Sequence, residues 1–263
     1  MSSHLDVLGS AALAVLVLMV ATWLLSLVLR NASIVDIAWG AGFVIVAWVS
    51  ALVGDGHTER SNLLVALVSI WGLRLAGYLL WRNAGKGEDF RYRSMRARQG
   101  PSFPIRSLAT VFLFQGLVMW VVSLPVQLAM TPDDPDVGVV AIVGVALWGL
   151  GFFFESVGDA QLARFKADPA NEGAVMDRGL WRYTRHPNYF GDFCVWWGIF
   201  LVAAETGDAI AGVIGPIVMS IFLMKVSGVP MLERSLSRRR PGYADYVART
   251  STFFPRPPRA PQP

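Results

Sequence analysis

Cysteine occurs once, at Cys194, and histidine only three times. A single thiol excludes an internal disulfide framework and any cysteine-rich metal site. Charge is also scarce: 16% of the 263 residues are Asp, Glu, Lys or Arg, against about 25% in soluble domains. With 54% hydrophobic residues, that scarcity excludes disorder and disfavours a water-soluble globule. No Gly-Lys-[Ser/Thr] ending of a Walker A loop is present, and no G-x-G-x-x-G follows a strand. The net charge of +4 fits Lys and Arg held on one side of a membrane better than nucleic acid, so no nucleic-acid partner is expected.

What is present is apolar sequence in long runs. Seven stretches, about 7–29, 34–53, 62–81, 107–130, 138–158, 190–206 and 208–227, can each cross about 30 Å of hydrocarbon. The first is too long for a signal peptide and lacks a basic leader. The sixth and seventh are separated only by Glu205–Asp208 and read as a helical hairpin. The expected fold is an all-α integral membrane protein of seven transmembrane helices in one domain over 1–263, with a Pro/Arg-rich tail at 255–263 expected to fray.

The loop charges sort by side. Segments 82–106, 159–189 and the tail, with Arg30, carry 20 of the 23 basic residues, while the opposite loops are acidic apart from Arg60. The positive-inside bias puts the N-terminus outside and the C-terminus in the cytoplasm. Ionisable residues inside spans are expensive and mark sites. Asp36 opens the second span; Arg74, Tyr78 and Arg82 form one stripe on the third; Glu155 and Asp159 run out of the fifth. Asp36 could equally cap its helix, Arg74 could pair with a carboxylate of another helix, and Lys225 could snorkel. These groups sit toward the basic side, which describes a cavity open to the cytosol with an apolar interior. Such a cavity suits a phosphorylated ligand at its mouth and a lipid-like one deeper.

The densest motif is Gly179-Leu180-Trp181-Arg182-Tyr183-Thr184-Arg185-His186-Pro187-Asn188-Tyr189-Phe190-Gly191-Asp192. Pro187 restricts His186 to extended geometry, and Arg185, His186 and Asn188 can face a phosphate at the start of the sixth span. A metal is not expected, because His4 and His57 fall on the opposite side. Upstream stand Trp71-Gly72-Leu73-Arg74-Leu75-x-x-Tyr78, Glu88-Asp89-x-Arg91-Tyr92 and Glu155-x-x-x-Asp159-x-Gln161; downstream, Glu233 and Gly242-x-x-Asp245-Tyr246.

In this order the motifs resemble the membrane steroid 5-alpha-reductase superfamily, in particular its bacterial members, long catalogued as a family of unknown function. The resemblance implies a seven-helix, NADPH-dependent reductase of an alpha,beta-unsaturated ketone, a 3-oxo steroid or another lipid enone, working as a monomer in the bacterial inner membrane. It implies that Asp159, Asn188 and Asp192 hold the dinucleotide, with Arg82, Arg178, Arg185, His186, Tyr189 and Tyr246 around it. It implies a carboxylate–tyrosine pair that polarises the substrate carbonyl, here Asp36 and Tyr78. The vertebrate members have Gln-Glu where this chain has Val35-Asp36, a departure that bears on steroid specificity.

Two other readings remain. A membrane S-adenosylmethionine-dependent methyltransferase shares the Arg-His-Pro motif, but Glu233 is followed here by Arg234 where those enzymes carry a second Glu. A non-enzymatic lipid binder or transporter would need two-sided access, whereas the polar residues all lie toward one side. The charge asymmetry makes one prediction: a reporter fused after Pro263 is cytoplasmic, and a tag within 131–137 reacts with an impermeant label outside. An externally accessible C-terminus would overturn the cytosolic cavity.

Overall fold

The computed structural model describes residues 3–54, 59–130, 137–226, 228–230, 232, 233, 236, 240 and 242–259. His57, the acidic run Asp133, Asp134 and Asp136, and Arg234, Arg238 and Arg239 lie outside the described residues. Regular structure is entirely helical among the described residues, as hydrocarbon demands of a backbone that must satisfy its own hydrogen bonds. Six segments are long and apolar enough to cross a membrane: His4–Leu29, Ile34–Val53, Glu59–Asn83, Phe90–Val122, Val139–Ala167 and Gly207–Val226. The stretch expected at 190–206 forms Pro187–Ala203, 17 residues. At 1.5 Å per residue that is about 26 Å, short of the hydrocarbon layer.

The helices are α1 (His4–Leu29), α2 (Ile34–Val53), α3 (Glu59–Asn83), α4 (Phe90–Gln99), α5 (Phe103–Ser107), α6 (Phe114–Val122), α7 (Leu124–Leu128), α8 (Val139–Ala167), α9 (Pro187–Ala203), α10 (Ile214–Ile221) and α11 (Tyr243–Arg249). A π turn, Leu108–Leu113, joins α5 to α6. Boundaries follow local chemistry. Ser3 and Asp6 form a capping box at the start of α1. The span expected at 107–130 breaks at Ser123, whose hydroxyl donates to the carbonyl of Met119, because Pro125 cannot continue the ladder. Helix α8 runs well past the expected 158. Asp159, Gln161, Arg164 and Lys166 continue it among good helix formers, until Asp168 stands before Pro169.

The chain packs as two compact units, Met1–Ala141 with Ile199–Gly215 and Ile142–Gly198 with Pro216–Pro263. In the first, α1 runs antiparallel to α5 and α6. The Trp23 indole donates to the carbonyl of Pro104 at 2.9 Å and the Trp120 indole to that of Leu8 at 3.0 Å. Helices α2 and α3 meet backbone to backbone, since a Cβ on Gly40 would lie 2.6 Å from the Gly72 carbonyl. Glu205, expected in a simple hairpin turn, instead accepts the amides of Gly138, Val140 and Ala141, at 2.8, 3.0 and 3.1 Å. An acid there satisfies free amides and opposes the positive end of the α8 dipole.

The second unit is organised by small residues. Gly144, Gly151 and Gly158 repeat every seven residues along α8. A Cβ on Gly198 would lie 2.6 Å from the Gly144 carbonyl, and one on Gly151 2.5 Å from that of Gly191. At Gly158 the facing atom is Pro187 Cγ, 3.2 Å away. Helices α8 and α9 are thus antiparallel along a seam with no room for a methyl group. Of the tail expected to fray, residues 255–259 are described, and they are tied down: the Arg256 amide donates to the Tyr183 carbonyl at 3.0 Å and the Arg259 amide to that of Arg249 at 2.9 Å, while just before them the Ser251 carbonyl accepts the Arg185 amide at 2.9 Å. Phe253 and Phe254 then pack on Phe190 and Phe193 of α9.

A Cβ on Gly149, one turn from the seam, meets nothing within 4 Å. Gly151→Ala is therefore expected to destabilise by about 1–3 kcal/mol through overpacking and Gly149→Ala to leave stability unchanged or raise it. The check is thermal unfolding of both purified variants in detergent. Equal midpoints would contradict a closed seam.

Candidate functional site

In the first unit the motif loop after α3 folds over the start of α2. Gly85 and Gly87 take positive φ, 73° and 70°, which turns the chain back at little steric cost. Glu88 accepts the Ala32 amide at 2.8 Å and both Nε and Nη2 of Arg96, at 3.0 and 2.8 Å. The Asp89 amide donates to the Ser33 hydroxyl at 2.6 Å, and the Asp89 carboxylate accepts from Arg91. Burial alone would raise both acids; the arginines outweigh it and hold Glu88 and Asp89 below the usual carboxylate range.

Asp36 lies at the centre of this clasp. Its carboxylate accepts from Arg91 and, at 2.7 Å, from the Tyr92 hydroxyl. Gln115 donates in turn to the Tyr92 oxygen at 3.3 Å. Among the described residues the hydrogen bond that sequence reasoning gave to Tyr78 is made by Tyr92, and Ser33 rather than Asp36 is the N-cap of α2. Tyr78 has different company. Its ring stands between the guanidinium groups of Arg74 and Arg82, at 5.6 and 5.7 Å from the ring centre. The Arg82 Nε also donates to Asn83 at 3.3 Å. A cavity of about 110 Å³ opens between the start of α2 and the end of α3, lined by Asn31, Ser33, Ile37, Leu80 and Asn83 among others.

In the second unit the glycine seam ends where α8 passes the start of α9. There Asn188 donates to the buried Asp159 at 3.3 Å. Asp192 stands one turn farther along α9, half-buried, and Tyr189 stacks on the His186 ring at 5.5 Å and 9°. Gln161 accepts the Leu180 amide and fills the space where a Cβ on Gly179, φ 59°, would sit. Arg178 is exposed.

Arg185 and Tyr246, expected near a cofactor, have inward duties. Arg185 is 6% exposed. It donates to Glu233 at 2.8 Å, to the carbonyls of Val247 and Thr250, and to the Thr252 hydroxyl. The Tyr246 hydroxyl donates to the carbonyl of Trp181. His186 is 1% exposed, with Nε2 at 3.3 Å from Glu233. Its Nδ1 is buried with no hydrogen-bond partner among the described residues. Sequence reasoning noticed Glu233 but not its role. The signal was an unmatched acid following a motif with two adjacent cationic or titratable side chains.

Burial alone would raise Glu233, but bonds from His186 and Arg185 hold it at about 2, against an ordinary 4.5. Burial is also the main reason His186 sits below its usual 6.5, with Glu233 working against it. Both shifts act in one direction. The Glu233 contribution is complete above pH 4.5 and is lost as pH falls toward 2, while the unfolded chain gains a proton at histidine as pH drops below 6.5. The unfolding midpoint should therefore fall steadily on acidification from neutral pH. Limited proteolysis should find the tail released first. In Glu233→Gln the part of the decline below pH 4.5 should shrink; an unchanged acid limb would remove Glu233 from the latch.

The chain matches the model of the family described as "Protein of unknown function (DUF1295)" over residues 22–250. It is also similar to an uncharacterized protein of Schizosaccharomyces pombe, C594.04c, with 23% identity over 262 residues, covering 89% of this chain and 75% of the relative. No solved structure matches. The match across both units shows that the chain belongs to the DUF1295 family.

Proposed function

We propose that this protein is an NADPH-dependent reductase of an alpha,beta-unsaturated ketone carried on a lipophilic body, a 3-oxo steroid or another lipid enone. The observation that carries the reading is the Asp159–Asn188 junction: a buried acid and an amide drawn together at the end of a sterically closed seam. The motifs around it run in the order of the steroid 5-alpha-reductase superfamily.

The residues of the second unit fit a dinucleotide by their chemistry. Asp159, Asn188 and Asp192 offer acceptors and an amide, and His186 Nδ1 is a buried acceptor lacking a donor among the described residues. Arg178 supplies a cation for phosphate, and Tyr189 a flat face. Arg185 and Tyr246 act as positioning residues, since their polar atoms hold the tail. When bound, the reduced nicotinamide supplies the hydride.

For the substrate, Tyr78 is the hydrogen-bond donor to the carbonyl oxygen. Two guanidinium groups against its ring favour the negative charge that develops on that oxygen as the enolate forms. Asp36 acts one step back, through Arg91 and Tyr92, by fixing the loop over α2. The proposed setting is the bacterial inner membrane, with α9 crossing it as the sixth of seven spans, the N-terminus outside, the site open to the cytosol and the chain a monomer.

Asn188→Ala is expected to weaken NADPH binding roughly 10- to 150-fold, the effect of losing a hydrogen bond to a charged ligand. Tyr78→Phe should leave that affinity intact and slow oxidation of bound NADPH by a steroid enone about 10²- to 10³-fold. Equilibrium binding and stopped-flow absorbance read the two effects separately. Full-rate hydride transfer in Tyr78→Phe would shift the role to Tyr92. S-adenosylmethionine binding that Asn188→Ala weakens, with no NADPH binding, would favour the methyltransferase reading.

A further inference from the structure

Segment 82–106 carries seven basic residues and two acids, Glu88 and Asp89. Both acids turn inward, onto Arg96 and Arg91. Of the other five, Arg82 is half-buried against the Tyr78 ring, while Lys86, Arg93, Arg98 and Arg106 are exposed, with no ion-pair partner among the described residues. They share a surface with two exposed apolar side chains, Phe90 at 37% and Ile105 at 78%. On α4 the outward residues are Phe90, Arg93, Ser94, Ala97 and Arg98, a single stripe at helical spacing. The inward ones are Arg91, Tyr92, Met95, Arg96 and Gln99. The helix is thus sorted into an inner face whose arginines are paired and an outer one whose charges are all positive, with Phe90 at its start.

We propose that this outer face, Lys86, Arg93, Arg98 and Arg106 flanked by Phe90 and Ile105, binds the headgroups of anionic phospholipids. Three features single out lipid. First, α4 is the polar beginning of the stretch Phe90–Val122, which like α3 before it is long and apolar enough to cross a membrane, so the chain itself holds α4 near the headgroup layer. Second, only three residues, Gly100–Ser102, separate α4 from α5, which keeps the cations beside the apolar surface where Ile105 projects. Third, Phe90 and Ile105 are exposed among the cations, Phe90 between Lys86 and Arg93 and Ile105 next to Arg106. A soluble acidic partner would leave them in water, whereas the headgroup–acyl boundary accepts cations and apolar side chains together. Lys86 stands at the tip between Gly85 and Gly87, both at positive φ, so its ammonium reaches beyond the helix. The internal pairs are what make the face attractive to anions: had Glu88 and Asp89 pointed outward, they would have cancelled two of the four cations.

The test is native mass spectrometry of the full-length protein in detergent with phosphatidylglycerol or phosphatidylcholine added. The parent should retain phosphatidylglycerol about tenfold better than phosphatidylcholine, because each cation near the surface favours an anionic lipid. The triple substitution Lys86→Gln, Arg93→Gln, Arg98→Gln should bring retention close to parity while helix content stays the same. If that variant fails to fold, the parent alone decides, because its preference must weaken as salt rises through the Debye range. Adding NADPH should not displace the lipid, and the triple variant should bind NADPH like the parent. Equal retention of both lipids by the parent, a preference that survives the triple substitution, or displacement of lipid by NADPH would each overturn the proposal. The last would assign the patch to a dinucleotide phosphate. The lipid result does not depend on whether the protein reduces enones.

Discussion

A charge brought into or beside an apolar layer has to bring its partner with it, since neither lipid nor a packed interior supplies one. Asp36, in the first turn of its helix, is held by Arg91 and Tyr92. Buried Arg185 gives its donors to one carboxylate, one hydroxyl and two carbonyls. Glu205 takes three free amides at the start of α8. In each case the partner comes from a distant part of the chain, so satisfying the charge also fixes the architecture. The Asp36 cluster pins the loop after α3 to the start of α2. The Arg185 cluster pins the tail to the turn before α9.

The second constraint is steric. Helices that approach until a methyl group no longer fits are held by backbone contact rather than by interlocking side chains, and such contact tolerates little sliding. The seam of α8 and α9 fixes the height at which Asp159 meets Asn188. At the neighbouring residue of α8, Gly158 packs on Pro187, and this close approach sets the two helices at the level of the polar pair.

Much of this was legible in the sequence, for particular reasons. Apolar runs identified the membrane class, because length and scarcity of charge carry that signal without tertiary information. The motif order identified the residues now found in the two polar clusters. Partners were harder to read. Asp36 looked like the mate of Tyr78 because both lie toward one side of neighbouring spans, yet the glycine-turned loop brings Tyr92 closer, and a loop's return path is not written in hydropathy. Arg185 and Tyr246 looked like ligand contacts because exposed-type residues in a motif usually are, while their burial under the tail depends on contacts about 50–65 positions away. The length of α8 was missed because its last turns are polar, and hydropathy ends a helix where the membrane ends rather than where Pro169 does. The heptad of glycines was visible all along, but it has meaning only once α8 and α9 are known to be antiparallel neighbours.

The central claim is that the polar junction of the second unit serves a reduced dinucleotide. It is tested most directly by equilibrium binding of radiolabelled NADPH and radiolabelled S-adenosylmethionine, side by side, to the purified full-length protein in detergent. The account predicts saturable NADPH binding, one per chain, that excess unlabelled S-adenosylmethionine does not displace. Saturable S-adenosylmethionine binding without NADPH binding, or binding of neither by a folded protein, would contradict it.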